Sequence, residues 1–191
     1  MKEQVVKDIV DASLEDALVM ERNGYPYLVH PLMDGIPRVD PKLLQAWLDW
    51  ARRQDLVTKA TLLAAPEAMG LPLVAPLSLA TGLPYVVIRK RKYDLPGEEV
   101  AYAETGYGEA ALHVNDLTPH DKVLLVDDVI STGNTLNALL STLEHIGVPA
   151  VGALVFLDKG TARRSIEERH DVPIRVMRTV RVSLDGVKLA K

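Results

Sequence analysis

Residues 123–136 read Val-Leu-Leu-Val-Asp-Asp-Val-Ile-Ser-Thr-Gly-Asn-Thr-Leu, and the fold follows from this stretch. Four apolar residues, 123–126, form a short run of the kind that fills a fully buried strand. Asp127 and Asp128 stand at its C-terminal end, and a Ser/Thr/Gly loop, 131–135, leads into a segment with helical apolar spacing. The start of a helix offers unpaired backbone N–H groups and the positive end of the helix dipole, so such a loop cradles a phosphate. Ser131, Thr132 and Thr135 add hydroxyl donors. Gly133 allows a tight backbone path, and Asn134 tolerates left-handed geometry. Two adjacent carboxylates repel and gain nothing for folding, but beside a bound phosphate they can accept hydrogen bonds from a pair of sugar hydroxyls. The combined expectation is a 5-phosphoribosyl group held at the end of a parallel strand.

Outward from this segment, short apolar runs alternate with helical ones. The spacing predicts a helix over 5–22 with a break near Ser13, ended by Asn23-Gly24, and a second over 41–53 capped by Asp40. Strands are expected at 57–65, 85–88, 111–114, 123–126, 150–157 and 174–177. Helices are expected after Gly70, over 135–146 and over 162–170, and a terminal hairpin is expected to turn at Asp185-Gly186. This order means an α/β fold with a mainly parallel sheet flanked by helices. Ligands in such sheets bind beyond the carboxyl ends of the strands. The acids, the phosphate loop, the turn after Ala65 and the cation run Arg89-Lys90-Arg91-Lys92 all fall on that edge. Cations there suit a pyrophosphate leaving group. The polar stretch 93–108 that follows is long for a compact domain and reads as a lid.

Residues 123–136 resemble the signature of the type I phosphoribosyltransferases: an apolar run, two acids, two apolar residues and a Thr-Gly-x-Thr phosphate loop. Residues 88–97 (IRKRKYDLPG) and 106–112 (GYGEAAL) are similar to the flexible loop of the adenine phosphoribosyltransferase group. Residues 30–37 (HPLMDGIP) and 67–70 (EAMG) are closer to the archaeal-type hypoxanthine (and guanine) enzymes. The resemblance spans roughly residues 25 to 160 and implies one domain over 1–191, with a hood at about 22–40 and a flexible loop at about 90–109. It implies phosphoribosyl pyrophosphate and a purine base as substrates, Mg²⁺ held mainly by the donor, and a homodimer. Asp127 and Asp128 would hold the ribose hydroxyls. Ser131, Thr132, Gly133, Asn134 and Thr135 would hold the 5-phosphate. Arg89, Lys90 and Lys92 would hold the pyrophosphate, together with the backbone of Glu67 and Ala68. Asp127 and Arg89 are the expected catalytic groups. Adenine enzymes carry an acid before the loop tyrosine and an arginine in the pyrophosphate loop. Here Gly106 precedes Tyr107, with Glu104 the nearest acid, and Met69 stands in the loop. Hypoxanthine or guanine is therefore favoured over adenine, with orotate a lesser alternative.

The base pocket is least defined. Phe156, the only phenylalanine, is either a purine-stacking ring or plain core, and Val29 and His30 precede the hood. The Ala65-Pro66 bond is left open between cis and trans.

Composition narrows the classes further. With 48% apolar residues the chain can fill a core, and a net charge of −4 argues against a duplex-binding surface. No cysteine is present, which excludes disulfides and thiolate chemistry. Residues 68–88 carry no charge and are long enough to span a bilayer, but three prolines and two glycines point to a helix, a turn and a strand instead. The N-terminus lacks a signal-peptide apolar region, and a cytoplasmic location is expected. The five histidines show no metal spacing, and Gly106–Ala111 fits G-x-G-x-x-A only formally. A donor-sensing regulator that does not catalyse is the competing class. It needs a nucleic-acid module for which about 24 N-terminal residues are too few.

Overall fold

The computed structural model describes residues 1–22, 24–105 and 108–190, with the backbone alone for 104, 105, 108 and 109. A six-stranded sheet forms the centre. Its strands are β3 (Leu62–Pro66), β4 (Tyr85–Ile88), β7 (Val123–Ile130), β8 (Ala150–Asp158), β9 (Ile174–Ser183) and β10 (Gly186–Leu189), in the order β10-β9-β8-β7-β3-β4. All pairs are parallel except the edge pair β9–β10.

Alternate residues of the central strands serve opposite cores. Leu63, Ala65, Leu124, Val126, Leu154 and Phe156 face one core with α1 (Glu3–Glu15), α3 (Pro41–Ala51) and α4 (Gly70–Thr81). Leu62, Ala64, Val123, Leu125, Ala153 and Val155 face the other, with α5 (Asn134–His145) and α6 (Arg163–His170). Asp40 caps α3 as expected, accepting from Lys42 N at 2.8 Å. The uncharged stretch 68–88 divides into α4, a turn and β4. No helix among the described residues is long and apolar enough to cross a membrane.

Four expectations are corrected. The N-terminal helix ends at Glu15, and β1 (Leu18–Arg22) pairs antiparallel with β2 (Tyr25–Val29) instead of continuing it. Asn-Gly between apolar runs is a hairpin signal as well as a helix stop, and the apolar run Leu18, Val19 and Met20 tips the balance. The strand expected from Val57 starts only at Leu62, after a 3₁₀ turn at Val57–Lys59. The last parallel strand runs ten residues, to Ser183, because it also forms the terminal hairpin. The lid stretch is in large part a β-ribbon, β5 (Glu99–Thr105) against β6 (Gly108–Val114). Ala101, Ala103, Leu112 and Val114 of the ribbon are buried in the second core. Alanine and glutamate favour strands poorly, so composition hid β5, whereas the strand expected at 111–114 is found within β6.

Candidate active site

Strand β7 does not stop before the acids. It carries Asp127 and Asp128 within its hydrogen-bonded span, and Asp127 Oδ1 accepts from Asp128 N at 2.9 Å. Removal from water raises both carboxyl pKa values. Asp127 is pushed well above the usual range by burial and then by the neighbouring Asp128 charge. Asp128 is pushed to about 6 by burial; Asp34 raises it further, while hydrogen bonds and the Lys159 charge lower it. These acids are held at a cost to folding, as expected of groups kept for chemistry.

The chain turns after Ile130 into a small cup of about 130 Å³ lined by residues 129–136. Gly133 has φ +79°, which a glycine adopts without strain. Its C=O accepts from Asn137 N at 2.9 Å, and Asn134 N reaches Thr132 Oγ1 at 3.5 Å. Ser131, Thr132, Gly133, Asn134 and Thr135 thus converge on one concavity at the N-terminus of α5, where backbone N–H groups face an anion. The loop after β8 backs this cup. Lys159 N donates to Ile130 C=O at 3.0 Å, and a Cβ on Gly160 would overlap the Ser131 carbonyl. A Cβ on Gly133 would meet Ile166 at 2.6 Å and Ala162 at 2.8 Å.

A second cleft, about 380 Å³, is lined by Pro66, Glu67, Lys90, Ala110, Leu112, Asp127, Asp128, Val129 and Thr135. Val129 and Thr135 line both cavities, so the phosphate cup and the acid cleft adjoin. Strand ends β3, β4 and β7 bring Glu67, Lys90 and the acids together, as expected from the sheet edge.

The pyrophosphate side differs from expectation in detail. Glu67 N donates to Ile88 C=O at 2.9 Å, so this amide does not face a ligand. The Glu67 carboxylate instead pairs with Arg89 Nε at 2.8 Å and accepts from Lys90 N at 2.6 Å. Lys90 lines the cleft. Lys92 pairs with Asp94 at 2.5 Å and does not line it. The cis bond in this turn is Glu67–Ala68; Ala65-Pro66 is trans, and Ile36-Pro37 is cis.

The expected base contacts are also corrected. Phe156 and His30 are fully buried and stack on each other, ring centroids 5.0 Å apart, with Trp47 edge-on to Phe156 at 6.5 Å. His30 caps α2 (Pro31–Asp34): its Nδ1 accepts from Leu32 N at 3.2 Å, and its Nε2 lies 3.1 Å from Ser13 Oγ. Burial lowers its pKa to about 4, against the opposing charge of Asp34, so it is a neutral core residue. Val29 is half-buried beside it.

Tyr25, Tyr27, Asp34 and Lys159 form a further cluster. Lys159 Nζ lies 5.8 Å from the Tyr25 ring centroid and 5.5 Å from that of Tyr27. Tyr27 OH donates to Asp34 Oδ1 at 2.5 Å, and His30 N to Asp34 Oδ2 at 2.9 Å. Asp34 and Lys159 both act on Asp128. The only sequence signal for Lys159 is its place just past a strand end, on the ligand edge. The expectations on Glu104, Gly106 and Tyr107 lie outside the described residues and side chains.

A strand carrying paired acids near its C-terminal end, a phosphate cup at the next helix and a cation beside them define a class of proteins that bind sugar phosphates at a sheet edge. The sequence profile of the phosphoribosyl transferase domain matches residues 41–185, and the chain belongs to that family. Among relatives, the hypoxanthine/guanine phosphoribosyltransferase of Methanohalophilus mahii is 37% identical over 182 residues, covering 95% of each chain. The HGPRTase-like protein 2 of Haloquadratum walsbyi is 40% identical over 169 residues, covering 88% of this chain and 92% of that one. The crystal structure of adenine phosphoribosyltransferase from Saccharomyces cerevisiae superposes with a TM-score of 0.70 at 17% identity, covering 91% of this chain and 98% of that one. At that identity the match speaks for the fold alone.

Proposed function

We propose that this chain transfers the 5-phosphoribosyl group of phosphoribosyl pyrophosphate to a 6-oxopurine, hypoxanthine or guanine, releasing pyrophosphate. The observation that carries this reading is the adjacency of the phosphate cup and the two-carboxylate cleft, which share Val129 and Thr135 as walls. The cup takes the 5-phosphate through the N–H groups and hydroxyls of 131–135. Asp127 and Asp128 accept hydrogen bonds from the ribose hydroxyls and face the positive charge that grows on the sugar. Lys90 faces the leaving pyrophosphate from the cleft wall, and Arg89, braced by Glu67, adds positive charge behind it.

A purine nitrogen forms its bond to the anomeric carbon as the bond to the pyrophosphate oxygen breaks. The nitrogen's proton leaves to solvent or to a nearby acceptor. No covalent enzyme intermediate is needed, so positioning and electrostatics supply the rate. The donor is taken as its magnesium salt. Hard carboxylate oxygens at Asp127 and Asp128 suit that ion, which would neutralise charge on the pyrophosphate.

Base choice follows from Lys159. An ammonium held over the rings of Tyr25 and Tyr27 complements a carbonyl at the purine 6-position and disfavours an amino group there. The relatives named hypoxanthine/guanine enzymes point the same way. Lys159→Gln is expected to raise KM for hypoxanthine about 10- to 100-fold while leaving KM for the donor within a factor of about three. Equal loss for both substrates would show that Lys159 serves the loop and not the base.

Pyrophosphate release from the donor and Mg²⁺, with hypoxanthine, guanine, adenine, xanthine and orotate supplied separately, tests the whole reading. Turnover with hypoxanthine or guanine is expected. Turnover with adenine alone would overturn the base assignment. Donor binding without turnover on any base would overturn catalysis and favour a sensor.

A further inference from the structure

Glu98 is an acid with an enclosed carboxylate that the reaction above does not use. Its side chain is 5% exposed, although it follows seven exposed residues, 91–97. Its carboxylate accepts three hydrogen bonds: Tyr93 N at 2.9 Å, Asn115 Nδ2 at 3.1 Å and His113 Nδ1 at 3.0 Å. Burial alone would favour the neutral acid. The bonds from Tyr93, Asn115 and His113 outweigh it and hold the carboxyl below its ordinary range.

Two of these partners, His113 and Tyr93, lead back to the cation run. His113, itself buried, exchanges both backbone hydrogen bonds with Arg89: Arg89 N donates to His113 C=O at 3.0 Å, and His113 N to Arg89 C=O at 2.6 Å. Tyr93, tied by its amide to Glu98, carries the guanidinium groups of Arg89 and Arg91 over its ring, at 5.9 and 5.4 Å. Residues 89–98 thus form a loop whose two ends are drawn together at His113. Four adjacent cations repel one another and would otherwise spread into water. The fastening leaves Lys90 on the cleft wall.

We infer that Glu98 is a positioning residue for the pyrophosphate half of the donor, acting through His113 and Tyr93 on the segment 89–92. This inference rests on the phosphoribosyl reading. A carboxylate that served the fold alone would, when altered, weaken every ligand together. One that positions the cations weakens pyrophosphate and spares the ribose phosphate, which the cup and the acids hold.

The test is calorimetric binding of inorganic pyrophosphate with Mg²⁺, and separately of ribose 5-phosphate, to the parent and to Glu98→Gln. Glutamine keeps the shape but turns an amide nitrogen toward groups that donate. The pyrophosphate Kd is expected to rise about tenfold and the ribose 5-phosphate Kd to stay within about twofold. In turnover, KM for the donor rises, while kcat at saturating donor and KM for the base stay near the parent values. An unchanged pyrophosphate Kd, or equal weakening of both ligands, overturns the inference while leaving the functional reading intact. If the parent binds neither ligand, the phosphoribosyl reading falls and this inference with it. Should Glu98→Gln fail to fold, Asn115→Asp sets a second carboxylate against Glu98 outside the cleft, with the same expected outcome.

Discussion

Replacing Asp128 by asparagine is expected to lower kcat/KM for phosphoribosyl pyrophosphate about 10³-fold at pH 7.5 and, at the same time, to stabilise the protein. The two effects have one cause. Asp128 is withdrawn from water beside Asp127, and its folded-state pKa is about 6 against an ordinary 3.8. Between about pH 4 and about pH 6 the folded protein keeps a proton that the unfolded chain has lost. Stability therefore falls as pH rises through that window and is level above it. At pH 7.5 the ionised Asp128 carries its full penalty, which the substitution removes. A gain of about 1–3 kcal/mol is expected, from about 1.4 kcal/mol per pKa unit. The same titration predicts that kcat/KM for the donor declines below about pH 6, because a protonated acid holds the hydroxyls and the developing charge less well. Denaturant melts at pH 4.5 and 7.5, set beside the kinetics, decide the matter. An Asp128→Asn variant that loses activity together with stability at pH 7.5 would mean that the acids serve the fold.

Gly160→Ala is expected to raise KM for the donor about 100-fold and to cost about 1–3 kcal/mol of stability. The added Cβ would overlap the Ser131 carbonyl, a backbone atom that cannot rotate aside. Either the phosphate cup or the 158–162 loop must shift. Lys159 N is bonded to Ile130 C=O and Gly160 N to Asp158 Oδ1, so the shift carries Lys159 with it and KM for the base rises as well. Gly147→Ala is the control. Gly147 also has a positive φ, +69°, but nothing lies within 4 Å of a Cβ there. It should lose about 1 kcal/mol of stability with unchanged kinetics. Parent-like donor KM in Gly160→Ala would show that the cup does not depend on its contact with this loop.

The part of the site contained in one contiguous stretch is readable from the residues. The run from Val123 to Leu136 places strand, acids, phosphate loop and helix in order, and the structure keeps that order. The cation run falls on the right edge, because a position just after a parallel strand is a position on the ligand edge. What fails is assignment of neighbours. Phe156 reads as either a stacking ring or plain core, and only the alternation of β8 decides for the core, against His30 and Trp47. Glu67 suggests a backbone contact, yet its carboxylate braces Arg89 and its amide bonds to the end of β4. Residues 93–108 read as a polar lid because the buried face of β5 is Ala101 and Ala103, and alanine carries little hydrophobic signal; the strand expected at 111–114 is part of β6.

The sequence by itself determined the α/β order, the parallel sheet and the paired acids with their phosphate loop. Those features are written in apolar period, helix-start chemistry and turn residues, which act over a few positions of chain. The tertiary structure alone decided that Lys159 stands over Tyr25 and Tyr27, that Glu98 fastens the cation run through His113, and that Gly160 backs the phosphate cup. Those partners lie far apart along the chain. They meet only because strands distant in sequence lie side by side in the sheet, and packing, not local preference, sets which side chains then face one another.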